Sequence, residues 1–255
     1  MTTALTGATL LEERLRSEKA AIVPYLTAGF PTMARFAAAL SEVAAVSEAV
    51  EIGIPFSDPM ADGATIQESS RVALEGGATL EAVLTTLEAL PSLSVPLVIM
   101  SYLNPLMAYG YGRILPRMAA SGVAALVVPD LPLEESGELS DAAEASGIGL
   151  VQLVTPVTDA DRLRRLGAAS RGFTYAVTMT GTTGGSAAVG SELGGYLDRV
   201  RSVSKTPVLA GFGVRSADQV RSLVPHCDGV IVGSALVEVL GRGDDPVAFL
   251  TGLRP

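Results

Sequence analysis

Eight short aliphatic runs, each followed by a segment of helical spacing, recur along the whole chain of 255 residues. No other feature constrains the fold as strongly. The runs are Ala21–Thr27, Ala49–Ile54, Val95–Tyr102, Val123–Pro129, Ile148–Val154, Gly172–Thr178, Thr206–Gly211 and Asp228–Gly233. Each has the length of a buried strand and is rich in Val, Ile and Leu. Between them lie Met33–Val46, Leu80–Leu90, Tyr111–Ala120, Glu134–Ala145, Asp159–Leu166, Leu193–Val203 and Ser216–Leu223, which show helical spacing with polar faces. Thr158-Asp159 and Ser216 stand where helices start, and Gly122, Gly147 and Gly167 stand where helices end. Strict alternation predicts a parallel sheet. Eight units in this length predict one (β/α)8 TIM barrel over residues 1–255, with an extra N-terminal helix. The alternative is an open doubly wound sheet. It calls for a Gly-rich fingerprint after the first strand, where this chain reads Thr27-Ala28-Gly29-Phe30-Pro31.

Composition agrees with strands covered on both faces, because 48% of residues are hydrophobic and only 5% are aromatic. A net charge of -9 argues against nucleic acid and against a membrane surface, both of which need clustered Lys and Arg. An anionic small substrate would instead need a local site built from backbone N–H groups. The single cysteine, Cys227, precludes an intrachain disulfide and reads as a buried inert thiol. With His226 the only histidine, a metal site of His and Cys ligands is not expected. The N-terminus shows no signal peptide. Residues Ala89 to Gly112 carry no charge, but Pro91, Pro96 and Pro105 break the run, which reads as loop, buried strand and loop. The chain is expected to be soluble and cytoplasmic.

In a barrel of this kind, function sits on the loops that follow the strands. The run from Glu51 to Gln67, EIGIPFSDPMADGATIQ, places a carboxylate in the second strand and another, Asp62, beyond a Pro-rich loop. Charged residues are seldom buried without a partner or a task. An isolated pair of this kind reads better as a strand-edge, solvent-facing Glu and an Asp capping a helix over Thr65 to Leu74. In a barrel it points to general acid–base chemistry, with burial raising the Glu51 pKa toward the working range. Gly211-Phe212-Gly213 and Gly233-Ser234 close the last two strands, where barrels commonly hold phosphate on bare amides and a short helix, here Ala235–Leu240. The uncharged loop Met179 to Gly190 contains four glycines and reads as a lid, with Gly184 as hinge and phosphate donor.

These motifs resemble the tryptophan synthase alpha subunits. The resemblance rests on EIGIPFSDPMADGATIQ and PYLTAGFPT, and it continues in order through SYLNPLMAYG, VVPDLPLEES, the Gly181–Gly184 turn, AGFGVRS and GVIVGSALV. It implies retro-aldol cleavage of indole-3-glycerol phosphate to indole and glyceraldehyde 3-phosphate, without metal or organic cofactor. It implies that Glu51 makes both proton transfers and that Asp62 stays ionised and accepts the indole N–H. Tyr25, Met100, Tyr102, Tyr175 and Phe212 would line the indole pocket, and Gly184, Gly213, Gly233 and Ser234 would hold the phosphate. The loop carrying Pro55, Asp58 and Pro59 would contact a PLP-dependent beta subunit in an alpha2beta2 assembly. The lid departs from the pattern: members commonly carry an arginine after the glycine turn, whereas this chain reads Gly185-Ser186-Ala187-Ala188-Val189, with Met179 where some have Arg. A stand-alone lyase releasing free indole is the alternative. A non-catalytic activator is disfavoured by the intact carboxylates and turns. An isomerase barrel is disfavoured because no strand end offers a usable His or Lys.

Overall fold

The computed structural model describes residues 6–17, 20–178, 191–211 and 213–255. Eight parallel strands close into a barrel in the order β1 to β8, with β1 hydrogen-bonded to β8. They are β1 (Ala21–Thr27), β2 (Val50–Gly53), β3 (Leu97–Met100), β4 (Val123–Val127), β5 (Gly149–Val154), β6 (Thr174–Val177), β7 (Val208–Gly211) and β8 (Gly229–Val232). The helices are α1 (Gly7–Ser17), α2 (Met33–Ala44), α3 (Ala64–Glu75), α4 (Leu80–Ala89), α5 (Leu103–Tyr109), α6 (Tyr111–Ala120), α7 (Gly137–Ala145), α8 (Ala160–Ala169), α9 (Ser191–Val203), α10 (Ala217–Leu223), α11 (Ser234–Arg242) and α12 (Pro246–Leu253). The closed barrel excludes the open-sheet alternative.

Strand alternation separates two apolar layers. Val50, Ile52 and Ile54 of β2 and its extension point outward and pack beneath the helices. Ala49, Val98, Val127, Phe173 and Ile231 point inward and fill the barrel. Leu11 and Leu15 of α1 are fully buried in that inner layer, so the extra helix floors the barrel. Gly172 N–H donates to Glu12 Oε1 at 2.9 Å, and Ala8 N–H donates to the Gly147 carbonyl at 3.2 Å, which fastens α1 to the N-terminal side of the sheet. With one end plugged, the interior opens only where the strands end.

The helix caps follow the sequence. Asp159 accepts from Arg162 N–H, and Ser216 forms a capping box with Gln219. Gly122 and Gly147 follow α6 and α7 with φ of 85° and 73°, a region that favours glycine. Three expectations are corrected. Gly167 lies inside α8 rather than after it, and a Cβ there would come within 3.0 Å of the Val203 carbonyl, so it serves close packing on α9. The segment Glu134–Ala145 divides into a 3₁₀ turn, Leu133–Glu135, and α7. The loop after β3 is a helix, α5. Pro105 falls in its first turn, where proline's missing N–H has no helical acceptor, and Asp130 caps it by accepting from Leu103 N–H at 3.0 Å.

Emptying the floor should cost stability and leave the open end intact. Leu11→Ala and Leu15→Ala are each expected to lower unfolding free energy by about 2–5 kcal/mol. Chemical denaturation reads this directly, and an unchanged midpoint would contradict the plug.

Candidate active site

Glu51 sits within β2, not at its end, and shares the inward face of the strand with Ala49 and Gly53. This explains a carboxylate in an apolar run. The neighbouring Val50 and Ile52 face the helices, while position 51 faces the cavity. Its register partners are Tyr25 on β1 and Val98 on β3. The side chain is fully buried, and neither carboxyl oxygen has a hydrogen-bond partner among the described residues. Glu48, also buried, is different: it accepts from Ile22 N–H at 2.7 Å and pairs with Arg254 at 2.9 Å. Burial, reinforced by the nearby Asp62 charge, pushes the Glu51 pKa up to about 8.

Asp62 lies at the end of the Pro55–Ala61 loop and is 9% exposed. It does not cap the following helix: the N-cap of α3 is Gly63, and no side chain bonds the helix start. Asp62 instead accepts from the Tyr102 hydroxyl at 3.1 Å, and the same hydroxyl accepts from Ala61 N–H at 2.9 Å. Phe56 stacks on Tyr102 with ring centroids 5.0 Å apart, and Gln67 Nε2 donates to the Asp62 carbonyl at 2.8 Å. The loop is thus fixed from β3 and from α3. Burial raises the Asp62 pKa to about 6, with the Tyr102 hydrogen bond holding it back.

Two tyrosines project across neighbouring glycines. A Cβ at Gly53 would overlap the Tyr25 phenol, and a Cβ at Gly211 would overlap the Tyr175 ring. Each ring therefore occupies the side-chain space of the adjacent strand. Met100 ends β3, partly buried against the inner layer. Tyr25 and Tyr175 lie close enough to Glu51 and Asp62, and Tyr102 close enough to Asp62, for those carboxylates to disfavour ionisation of the phenols.

After the last two strands, Gly213 has φ of 84°, and Gly233, which lies against Tyr25, is the N-cap of α11, whose first residue is Ser234. The first helical bonds run from Leu236 and Val237 N–H to the Gly233 carbonyl, so the Ser234 and Ala235 amides precede them. Arg215 lies just beyond this turn but is held by Glu238 in two bonds of 2.9 and 2.7 Å. Pro55 is buried at the base of the loop after β2, while Asp58 and Met60 are exposed, Met60 by 81%. Gly184, Phe212 and the expected lid fall outside the described residues. Cys227 is buried and its thiol is pushed up to about 12, in keeping with an inert side chain. His226 lies in a turn and pairs with Asp198 at 2.9 Å. Sequence reasoning missed Gly53, Gln67 and Asp130, and read Gly211 only as part of the phosphate turn, not as the space that Tyr175 fills. The first was within reach, since the residue two after an inward Glu must also face inward.

Fold and site together define a barrel enzyme with a buried pair of carboxyls on and after its second strand. The family described as "Tryptophan synthase alpha chain" matches residues 11–249. The alpha chain from Picosynechococcus is 41% identical over 242 residues, covering 92% of each chain. The alpha chain from Nitratidesulfovibrio vulgaris strain DP4 is 41% identical over 250 residues, covering 96% of this chain and 97% of its own. Among solved structures, Mycobacterium tuberculosis tryptophan synthase superposes with a TM-score of 0.89 at 34% identity, covering 98% of this chain and 97% of that one. The tryptophan synthase a2b2 complex of Pyrococcus furiosus gives 0.83 at 35% identity, covering 91% and 97%. The chain belongs to the tryptophan synthase alpha chain family. Among the described residues no helix is long and apolar enough to cross a membrane.

The buried carboxyl has a measurable thermodynamic consequence. The folded state holds the Glu51 proton up to about pH 8, whereas the unfolded chain releases it near its ordinary value of 4.5. Stability from this group is therefore complete below the lower value and falls as pH rises through the window, by about 1.4 kcal/mol per unit. Glu51→Gln removes the titrating group. We expect the variant to be more stable than wild type above pH 8, with the gap closing toward pH 5. A gap independent of pH would contradict the raised pKa.

Proposed function

We propose that Glu51 and Asp62 carry the alpha-chain reaction in this protein, with the phosphate held by backbone amides. The alpha chain cleaves indole-3-glycerol phosphate to indole and glyceraldehyde 3-phosphate. Glu51, an acid below pH 8, donates its proton to indole C3, and the ring becomes a cation delocalised onto N1. Asp62, ionised above pH 6, accepts the N1–H and stabilises that charge. The Glu51 carboxylate then takes the proton of the hydroxyl on the side-chain carbon bonded to C3. That C–C bond breaks, its electron pair returns to the ring, and an aldehyde forms. Protons balance and Glu51 ends as it began.

The observation that carries this reading is the pair of raised but separated pKa values, about 8 and about 6, on carboxyls that face one opening. They leave Glu51 protonated and Asp62 charged in the same pH interval. Tyr25, Met100, Tyr102, Tyr175 and Phe212 would enclose the indole ring. Gly184, Gly213, Gly233 and Ser234 would hold the phosphate, a role for which the engaged Arg215 leaves the amides best placed. The loop carrying Pro55, Asp58 and Pro59, with Asp58 exposed, Pro59 half-buried and Pro55 buried at its base, would dock a beta subunit in a cytoplasmic alpha2beta2 enzyme. Because that loop ends on Asp62, a partner pressing on it would set the carboxylate's position. An error of about 1 Å costs on the order of a hundredfold in rate. The whole chain, 1–255, would act as one domain.

The test is steady-state indole formation across pH, alone and with the beta subunit. The expected kcat/KM profile is bell-shaped, with limbs near 6 and 8. Glu51→Gln should abolish turnover, Asp62→Asn should lose most of it, and saturating partner should stimulate the wild type. An active Glu51→Gln variant would overturn the acid–base assignment. High turnover unchanged by partner would point to a stand-alone lyase.

A further inference from the structure

The amides assigned to the phosphate lie on two separate segments, and one ion pair joins them. Gly213 belongs to the turn after β7, while Gly233 and Ser234 open α11 after β8. Arg215, just beyond Gly213, donates through Nη1 to Glu238 Oε2 at 2.9 Å and through Nη2 to Glu238 Oε1 at 2.7 Å. Glu238 lies one turn beyond Ser234 on α11. Helical side chains lean toward the helix N-terminus, so its carboxylate reaches back over the first turn. The Ser234 and Ala235 amides of that turn precede the first helical bonds.

Both partners are held on their other sides. The Arg215 and Ser216 N–H groups donate to Gln219 Oε1 at 2.7 and 3.2 Å, which fastens the backbone after Gly213 to α10. The Arg215 side chain then crosses to α11. Thr65 Oγ1, in the first turn of α3, donates to Glu238 Oε1 at 3.4 Å, so the carboxylate is also held from α3. Two N–H groups of one planar guanidinium on two oxygens of one carboxylate fix a relative orientation, which a single contact does not. The pairing also accounts for both charges. Arg215 is engaged rather than free to grip an anion, and Glu238 is neutralised rather than left as a bare charge near the phosphate.

We infer that Arg215 and Glu238 are positioning residues: their ion pair clasps the turn after β7 to the first turn of α11 and holds the two sets of amides at the spacing one phosphate needs. The inference rests on those amides being the phosphate site. The two side chains are 40% and 33% exposed. Solvent therefore screens the pair, and its contribution is that of a well-formed surface ion pair, about three- to fivefold in affinity.

The experiment compares wild type with Arg215→Gln/Glu238→Gln and with Arg215→Glu/Glu238→Arg, all of the same net charge. Glycerol 3-phosphate is titrated into each and followed through the amide resonances of Gly213, Gly233 and Ser234. Steady-state kinetics on indole-3-glycerol phosphate run in parallel. The neutral double variant should bind glycerol 3-phosphate about three- to fivefold more weakly and raise KM to match, with kcat within about twofold of wild type. The reversed pair should recover most of that loss. Arg215→Lys, which keeps the charge but not the fork, should fall between wild type and the neutral variant. A neutral variant that binds as tightly as wild type, or one that loses kcat at unchanged KM, overturns the inference. So does a reversed pair that binds no better than the neutral variant, the result expected if Arg215 itself grips the phosphate. The wild-type titration separates the two failures. If its three amides do not respond to glycerol 3-phosphate, the phosphate reading fails and the clasp with it. If they respond with the same affinity in every variant, only the clasp fails.

Discussion

The burial of Glu51, with no hydrogen-bond partner among the described residues, is the constraint on which the rest of the site depends. A carboxylate in that position would be strongly disfavoured, so the folded protein keeps the proton. A retained proton is what a leaving group at indole C3 requires. The fold holds a costly group in place because closure of the barrel and the floor formed by α1 leave it no route to solvent except through the substrate opening.

The second carboxyl is handled differently. Asp62 is nearly as buried, but Tyr102 bonds it directly, and the same hydroxyl grips the Ala61 amide. One tyrosine therefore positions Asp62 and offsets part of the rise in pKa that burial causes. Tyr102 is in turn anchored through the residue that follows it, where Asp130 caps α5 by accepting from Leu103 N–H. Two acids at one opening thus acquire different protonation states through different neighbours, which is the requirement for one to donate while the other stabilises charge.

Much of this was legible in the sequence. Aliphatic runs of uniform length gave all eight strands, trimmed at their ends where chain direction changes. The caps Asp159 and Ser216 were visible because side-chain oxygens mark helix starts by local chemistry. The helix α5 was not visible, because Pro105 reads as a breaker unless its position in the first turn is known. Gly167 misled for the opposite reason: its role is tertiary contact with Val203, which no local pattern encodes. Within the site, Glu51 and Asp62 stood out as acids among apolar neighbours. The passage of the Tyr25 and Tyr175 rings over glycines of adjacent strands required the register between strands, which alternation alone does not supply.

The most direct measurement is the titration of Glu51 itself in the substrate-free protein, followed by carbon-13 chemical shifts of glutamate side-chain carboxyls and assigned by the resonance missing from Glu51→Gln. The account predicts one glutamate that stays protonated at neutral pH and titrates near 8. A Glu51 resonance that titrates near 4.5, with the carboxylate already ionised at pH 7, would contradict it.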